Sequence, residues 1–338
     1  MALPLHKRAA VPTATTIDVE TFAALGEDDD SARALLSPDH PTRRHCEVEL
    51  FAAGEHGRVA AIVNPRSFDA EHRPFGLLGL FACEDDLPTA AALLDAACDW
   101  LRERGCATAR GPMNLTTWHD YRFVTSGFHA GYMPGEPRHP RHYPKLWLEA
   151  GFRVCGTYST NWLTCPEQGR GADALAGKFT AAAQRALDSG YSVRGIAPSD
   201  LPALYKLSSE AFADAFMYSH IGPDEFAALY SRDDVPVAAR TSYIAHAPDG
   251  SPIAFLYSFP CNLDGRDALV CKTIAVLPGT RGRGIYPLLV HTWVTDGIAD
   301  GCRDFVGGLM HVDGNPANLG WTGADTRIKE YALYERAL

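Results

Sequence analysis

The sequence predicts an α/β fold in which one arrangement of strands and helices occurs twice. Three observations carry this. The chain has 338 residues, more than one typical domain holds. Short apolar, β-branched runs alternate with amphipathic stretches that end at glycine. The two halves also share an order of parts: a hairpin, a buried strand, a loop, a long helix, a Gly-Cys pair (Gly105-Cys106 and Gly301-Cys302), and a strand leading to glycine and asparagine. The Pro- and Gly-rich linker Pro166–Gly171 divides the chain into domains 1–168 and 169–338.

Residues 1–45 are weakly patterned, and the acidic run Glu27–Asp30 reads as a solvated turn or helix cap. Glu47–Ala53 and Arg58–Asn64 read as a hairpin turning at Glu55-His56-Gly57, and Phe75–Cys83 as a buried strand. Leu87–Arg104 is a helix: Leu93, Leu94, Ala97 and Leu101 share one face, and Gly105 ends it. Cys106–Gly111 is a short strand. In the second half, Ala172–Asp188 is a helix, Tyr191–Ile196 a strand, and Asp200 caps a helix reaching Ala213. Arg240–His246 and Pro252–Phe259 form a hairpin around Pro248-Asp249-Gly250. Ala268–Val276 is a buried strand, Ile285–Ile298 a helix closed by Gly301, and Phe305–His311 a strand.

Acidic residues outnumber basic ones by 41 to 31, a net charge of −10, which argues against nucleic acid or an anionic membrane surface as a partner. The nine cysteines contain no C-x-x-C pair, which speaks against a disulfide framework or zinc ribbon. His119, His129, His139 and His142 lack metal-ligand spacing, so no metal is expected. The longest apolar run, Phe75–Cys83, falls far short of the ~20 residues of a spanning helix, and no secretory signal follows Met1–Arg8. The expectation is a cytoplasmic protein without a membrane span.

The chemistry concentrates in Thr273–Ile285. A β-branched strand ends at Leu277-Pro278, a loop carries Arg281, Gly282, Arg283 and Gly284, and a helix follows at once. Glycines let backbone N–H groups turn inward, and the helix start adds unpaired donors and a positive dipole end. Together these form an anion cradle suited to a pyrophosphate. A Walker A loop is absent, and a Rossmann loop would sit earlier and be followed by an acidic partner.

Arg281-x-x-Gly284, with its Val276-x-Pro278 lead-in, resembles the R/Q-x-x-G-x-G/A signature of the GCN5-related N-acetyltransferases (GNAT family). The resemblance implies two tandem GNAT-like domains, each a mixed, mostly antiparallel twisted sheet flanked by helices. It implies a coenzyme A thioester, acetyl-CoA or longer, held by Ile274, Ala275, Val276, Arg281, Gly282, Arg283, Gly284, Ile285, Tyr286 and Asn315. Tyr286 stands where the family has Gly or Ala. The first half has Glu84-Asp85-Asp86 at the equivalent place, and those carboxylates would repel a pyrophosphate, so it reads as a degenerate copy.

Gly111-Pro112-Met113-Asn114, followed by Gly127-Phe128 and Glu149-Ala150-Gly151-Phe152, resembles long tandem GNAT-like proteins with a G-P-M-N signature, among them N-acyltransferases and a bacterial ceramide synthase group. Gly79–Asp86, Trp100–Gly105, Phe216–Glu225 and Tyr331–Glu335 resemble that group too. The chain departs from it at His139–Tyr143 and at Trp118-His119-Asp120, so the resemblance is carried to N-acyl transfer onto a small amine and not to a sphingoid acceptor. Asn114, His119, Tyr143 and Asp224 are candidates for substrate contact, with turn capping the other reading of Asn114.

An amine attacking a thioester needs a general base and a donor for the developing oxyanion. His311, His220 and Tyr218 are the candidate catalytic residues, with a structural hydrogen-bonded role the other reading of His311. In GNAT-like sites the oxyanion donor is a backbone N–H on the strand before the loop, here Ile274–Val276. The tyrosine that such sites use to protonate the leaving thiolate is not found: none occurs between Asn315 and Tyr331. Two further readings keep the fold. In one the donor is an acyl carrier protein docking at Arg281, Arg283 and Arg303; in the other the pair is catalytically retired and binds a thioester or metabolite.

Overall fold

The computed structural model describes residues 12–26, 29–55, 57–69, 73–230, 241–314 and 321–338. Two compact units interleave along the sequence. One comprises Met1–Arg122, Pro140–Cys155 and Leu333–Leu338, the other Phe123–His139 and Gly156–Ala332. The linker at Pro166–Gly171 lies inside the second unit, where Pro166–Gln168 forms a 3-10 turn.

The first unit runs β1 (Thr15–Thr16), α1 (Val19–Ala24), α2 (Asp29–Leu36), β2 (Glu47–Ala53), β3 (Gly57–Val63), β4 (Gly76–Ala82), α3 (Leu87–Glu103) and β5 (Thr108–Gly111). β1, β2, β3 and β4 pair antiparallel in that order, and β4 runs parallel to β5. The far edge of β5 takes the end of the last strand of the chain, with Tyr334 opposite Gly111 and Ala337 opposite Thr108. The α3 helix starts at Asp86, whose carboxylate accepts the Thr89 N–H at 3.0 Å and the Thr89 hydroxyl. Its buried face includes Leu93, Leu94, Ala97 and Leu101, the stripe expected from the sequence.

In the second unit, β6 (Phe123–Ser126) pairs with the last strand. α4 (Tyr143–Glu149) returns to the first unit, where Trp147 is wholly buried against Phe81, Phe152 and Tyr334. β7 (Arg153–Trp162) follows, and from Gly156 it belongs to the second unit. Then come α5 (Ala172–Asp188), β8 (Ser192–Gly195), α6 (Leu201–Ala211), α7 (Pro223–Tyr230), β9 (Tyr243–His246), β10 (Pro252–Leu263), β11 (Arg266–Val276), α8 (Ile285–Ala299), β12 (Asp304–His311) and β13 (Arg327–Ala337). The strand order is β13-β7-β12-β11-β10-β9-β8, antiparallel throughout the pairings at β8–β9, β9–β10, β10–β11 and β7–β12, and parallel at β11–β12.

The helix α8 (IYPLLVHTWVTDGIA) is apolar nearly all round, which marks a helix buried on more than one side. It packs on α5 and on β9, β10 and β11, and Ile285, Leu289, Trp293 and Val294 join one core with Phe179, Leu256, Leu269 and Phe305. α6 packs against β10 and β11. Asp200 does not cap α6 with its side chain as the sequence reading expected. Its carboxylate turns back to the Ala197 N–H and to the two terminal guanidinium nitrogens of Arg194 at 2.7 Å, a charge-assisted fork that outcompetes a neutral cap.

Candidate functional site

The parallel β11–β12 ladder is short. It pairs Ala268–Cys271 with Asp304–Gly307, and beyond that point the two strands continue to Val276 and His311 without pairing each other. A bulge sits on each strand at the parting point. On β11, Thr273 faces Tyr257 and Cys271 faces Ser258, leaving Lys272 as the extra residue. On β12, Gly307 faces Asn161 and Met310 faces Ser159, so Gly308 and Leu309 oppose Thr160 alone. Bulges bend their strands, and two opposed bulges open a gap.

One edge of that gap carries amides. The Leu277 N–H donates back to Ile253 O at 3.0 Å, and Ala275 faces Phe255 in the same register. Antiparallel alternation therefore turns Ala275 and Leu277 towards β10, and Ile274 and Val276 towards the gap. At its mouth the chain makes a 3-10 turn at Pro278–Thr280, and α8 begins after Gly282 (φ 79°) and Gly284 (φ 80°). Among the described residues no side chain caps α8, which leaves its first-turn amides at Ile285 and Tyr286 available; Pro287 has none to offer. Arg281 and Arg283 are exposed, held by long bonds of 3.4 Å to Ala211 O and the Tyr191 hydroxyl.

Gly284 also lies against α5: a Cβ there would stand 3.0 Å from Ala182 O. Tyr286 projects from the first turn into the core, its ring edge-on to Phe179 at 6.0 Å and tilted on Trp321 at 5.8 Å. Its hydroxyl is buried and has no hydrogen-bond partner among the described residues. Burial pushes its pKa up, with Cys271 adding to the effect, so the phenol stays protonated.

His311 ends β12, half-buried, with Tyr158 edge-on at 5.0 Å and Phe216 tilted at 5.5 Å. Tyr158 and Phe216 were not singled out from sequence; each lies far from His311 along the chain. Tyr218 is half-buried in the connection between α6 and α7, where burial raises its pKa, so it is protonated near neutrality. His220 and Asp224 are exposed. Their neighbour Glu225 is instead 2% exposed, its carboxylate reaching back to the Gly222 N–H. That half of a capping box was legible in Gly222-Pro-Asp-Glu225, with Pro at the first helical position. Asn315 lies outside the described residues.

The remaining candidates belong to the first unit. There the counterpart gap is closed from within. β4 carries a bulge, with Leu80 and Phe81 opposite Val59 and Leu80 at φ 50°, and the Leu80 N–H donates to Asn114 Oδ1 at 2.8 Å. The Met113 N–H bonds Leu78 O at 2.8 Å. Asn114 thus bridges the two strands. The Tyr143 hydroxyl accepts the Cys83 N–H at 3.2 Å, His142 Nε2 bonds Cys83 O at 2.9 Å, and His119 Nδ1 bonds the Thr116 hydroxyl at 2.9 Å. His139 belongs to the second unit, where its Nε2 accepts the Val124 N–H at 2.7 Å. Burial, then the charges of Asp86, Glu84 and Asp85, push the Cys83 thiol up to about 12. That negative potential sits where the second unit has its arginine loop. Among the described residues, no group of three or more His, Cys, Asp or Glu side chains could hold a metal ion, and no helix is long and apolar enough to cross a membrane.

The fold is shared with solved acetyltransferases. A fungal multi-domain β-N-acetylglucosaminidase with a GCN5-related glucosamine N-acetyltransferase region superposes on 99% of this chain and 40% of its own, at 14% identity and a TM-score of 0.53. A tandem GNAT protein from the clavulanic acid biosynthesis pathway superposes on 96% of this chain and 98% of its own, at 11% identity and a TM-score of 0.51. The chain has the fold of a tandem GCN5-related N-acetyltransferase. In sequence it is similar to a bacterial ceramide synthase from Caulobacter vibrioides, 34% identical over 100 residues, which are 28% of this chain and 26% of that protein. No protein-family model matches.

Proposed function

We propose that this chain is an N-acyltransferase that takes an acyl group from a coenzyme A thioester, held between β11 and β12, and passes it to an amine. The observation that carries the reading is the parting of the two strands directly below a loop of two left-handed glycines and two exposed arginines. The donor supplies an acyl group activated as a thioester. The residues present fit it: among the described residues a Cβ at Gly282 would meet nothing within 4 Å, and the helix-start amides have no side-chain cap.

In this reading Arg281, Arg283 and the amides of Ile285 and Tyr286 hold the pyrophosphate. The gap-facing amides of Ile274 and Val276 hold the carbonyl oxygen as it gains charge. His311 takes the proton that the amine must lose, with the rings of Tyr158 and Phe216 packed against it. The first unit is scaffold: Asn114 occupies the amide that an equivalent donor would need.

The test is calorimetric titration of CoA, acetyl-CoA and longer acyl-CoAs into the full chain and into Arg281→Ala/Arg283→Ala. The reading expects binding that weakens at least tenfold in the variant. No binding of any CoA ester, or equal affinity in both proteins, would sink it.

A further inference from the structure

Glu136 and Lys329 form an ion pair at 2.8 Å with side chains 0% and 1% exposed. A pair so deeply buried is weak as a source of stability, because desolvation offsets its attraction. Its partners show what it is attached to. The Tyr331 hydroxyl donates to the same Glu136 oxygen at 2.9 Å, and the Met133 N–H donates to the other at 3.0 Å. The Lys329 ammonium also lies 4.0 Å above the Tyr132 ring. Because the Tyr331 proton is committed to the carboxylate, its oxygen accepts from the Thr160 hydroxyl at 3.0 Å. The Thr160 oxygen in turn accepts the Leu309 N–H at 3.2 Å. Leu309 has φ 56°, a left-handed conformation that a leucine adopts only when its surroundings impose it.

We infer that the Glu136–Lys329 pair positions the donor cleft: through Tyr331 and Thr160 it holds β12 in the left-handed bulge at Leu309 that turns the strand away from β11. That the cleft takes a CoA thioester rests on the function proposed above; the hold on the bulge does not. Thr160 is the one residue of β7 facing the two bulged residues of β12, and its hydroxyl orientation is dictated from the far end of the chain of bonds. Glu136, Lys329, Tyr331 and Thr160 are positioning residues and touch no reacting atom.

The test is a double-mutant cycle between Thr160→Val and Leu309→Gly, with Thr160→Ser as the conservative control. Glycine adopts φ 56° without strain, so it should make the Thr160 bond dispensable. Two quantities are read: amide exchange over Gly307–His311, and acyl-CoA affinity. Thr160→Val alone should raise exchange at Leu309 and weaken donor binding by about fivefold to tenfold, as expected for one hydrogen bond. Thr160→Ser should restore both, and in the Leu309→Gly background Thr160→Val should change either by less than about twofold. Equal effects of Thr160→Val in both backgrounds, or unchanged exchange at Leu309, would overturn the inference. If the unaltered chain binds no CoA ester, the proposed function falls while the exchange measurements still decide the bulge. Tyr331→Phe gives the same reading one step further out.

Discussion

Gly284 meets two demands at once: a φ of 80° and an approach to α5 that would set a Cβ only 3.0 Å from Ala182 O. Gly284→Ala should cost about 1–2 kcal/mol from the dihedral alone. Thermal unfolding checks this, and an unchanged melting temperature would show that α8 shifts freely. Tyr286 makes the opposite case. Its hydroxyl is buried without a partner among the described residues, a state that costs about 1 kcal/mol or more. Tyr286→Phe should therefore raise the melting temperature of the free protein. If the hydroxyl serves the donor, the same variant should weaken acyl-CoA binding, and unchanged affinity would make Tyr286 a filler of the core. Much of this site was legible residue by residue, because the glycines, arginines and following helix are contiguous. The rings around His311 were not, because Tyr158 and Phe216 reach it only through tertiary structure.

The two halves differ at the level of the element. Each has a bulged strand beside a parallel neighbour, but one gap is bridged by Asn114, and no such side-chain bridge to Ile274 or Val276 occurs among the described residues of the other. Asn114→Ala leaves the Leu80 amide without its acceptor and should destabilise the first unit by about 1 kcal/mol. Asn114→Asp keeps an acceptor, so similar loss in both variants would argue against this account. The turn before α6 carries a pH dependence. Asp200 is held at about 2 by the Arg194 bond foremost, well below the ~3.9 of a free aspartate. A depressed carboxyl pKa stabilises the fold above pH ~4, and the contribution disappears as the pH falls towards 2. Asp200→Asn should thus lower the melting temperature at pH 7 and match the parent near pH 2. A constant difference across that range would mean the loss is packing alone. Helices and hairpins such as α3, α5, β2 and β3 were legible because their periodicity and caps are local. β6, β7 and β13 were not predicted, since their partners are set by pairings across most of the chain.

For the whole molecule, the repeat seen in the sequence is real in outline, but the chain does not divide at one point. β7 gives Arg153–Cys155 to one unit and Gly156–Trp162 to the other, and β13 gives Leu333–Ala337 to the first and Arg327–Ala332 to the second. Linker composition could not reveal this, because a linker marks where structure is absent and says nothing of which strand pairs with which. Deleting Arg327–Leu338 removes the strand with which both β5 and β6 pair, so both units should lose their cooperative unfolding. A surviving cooperative transition with native-like circular dichroism in the truncated chain would count against shared dependence on that strand.

The last strand also imposes an order of events on synthesis. β5 is made early, but the strand that covers its open edge, β13, comes long after it in the sequence. At ribosomal speeds of roughly 5–20 residues per second, the edge waits on the order of ten seconds or more for its partner. An uncovered strand edge is a template for pairing with other chains. The first unit is therefore made long before it can be finished, and a chaperone that shields the uncovered edge during that interval would have its binding site defined by β5.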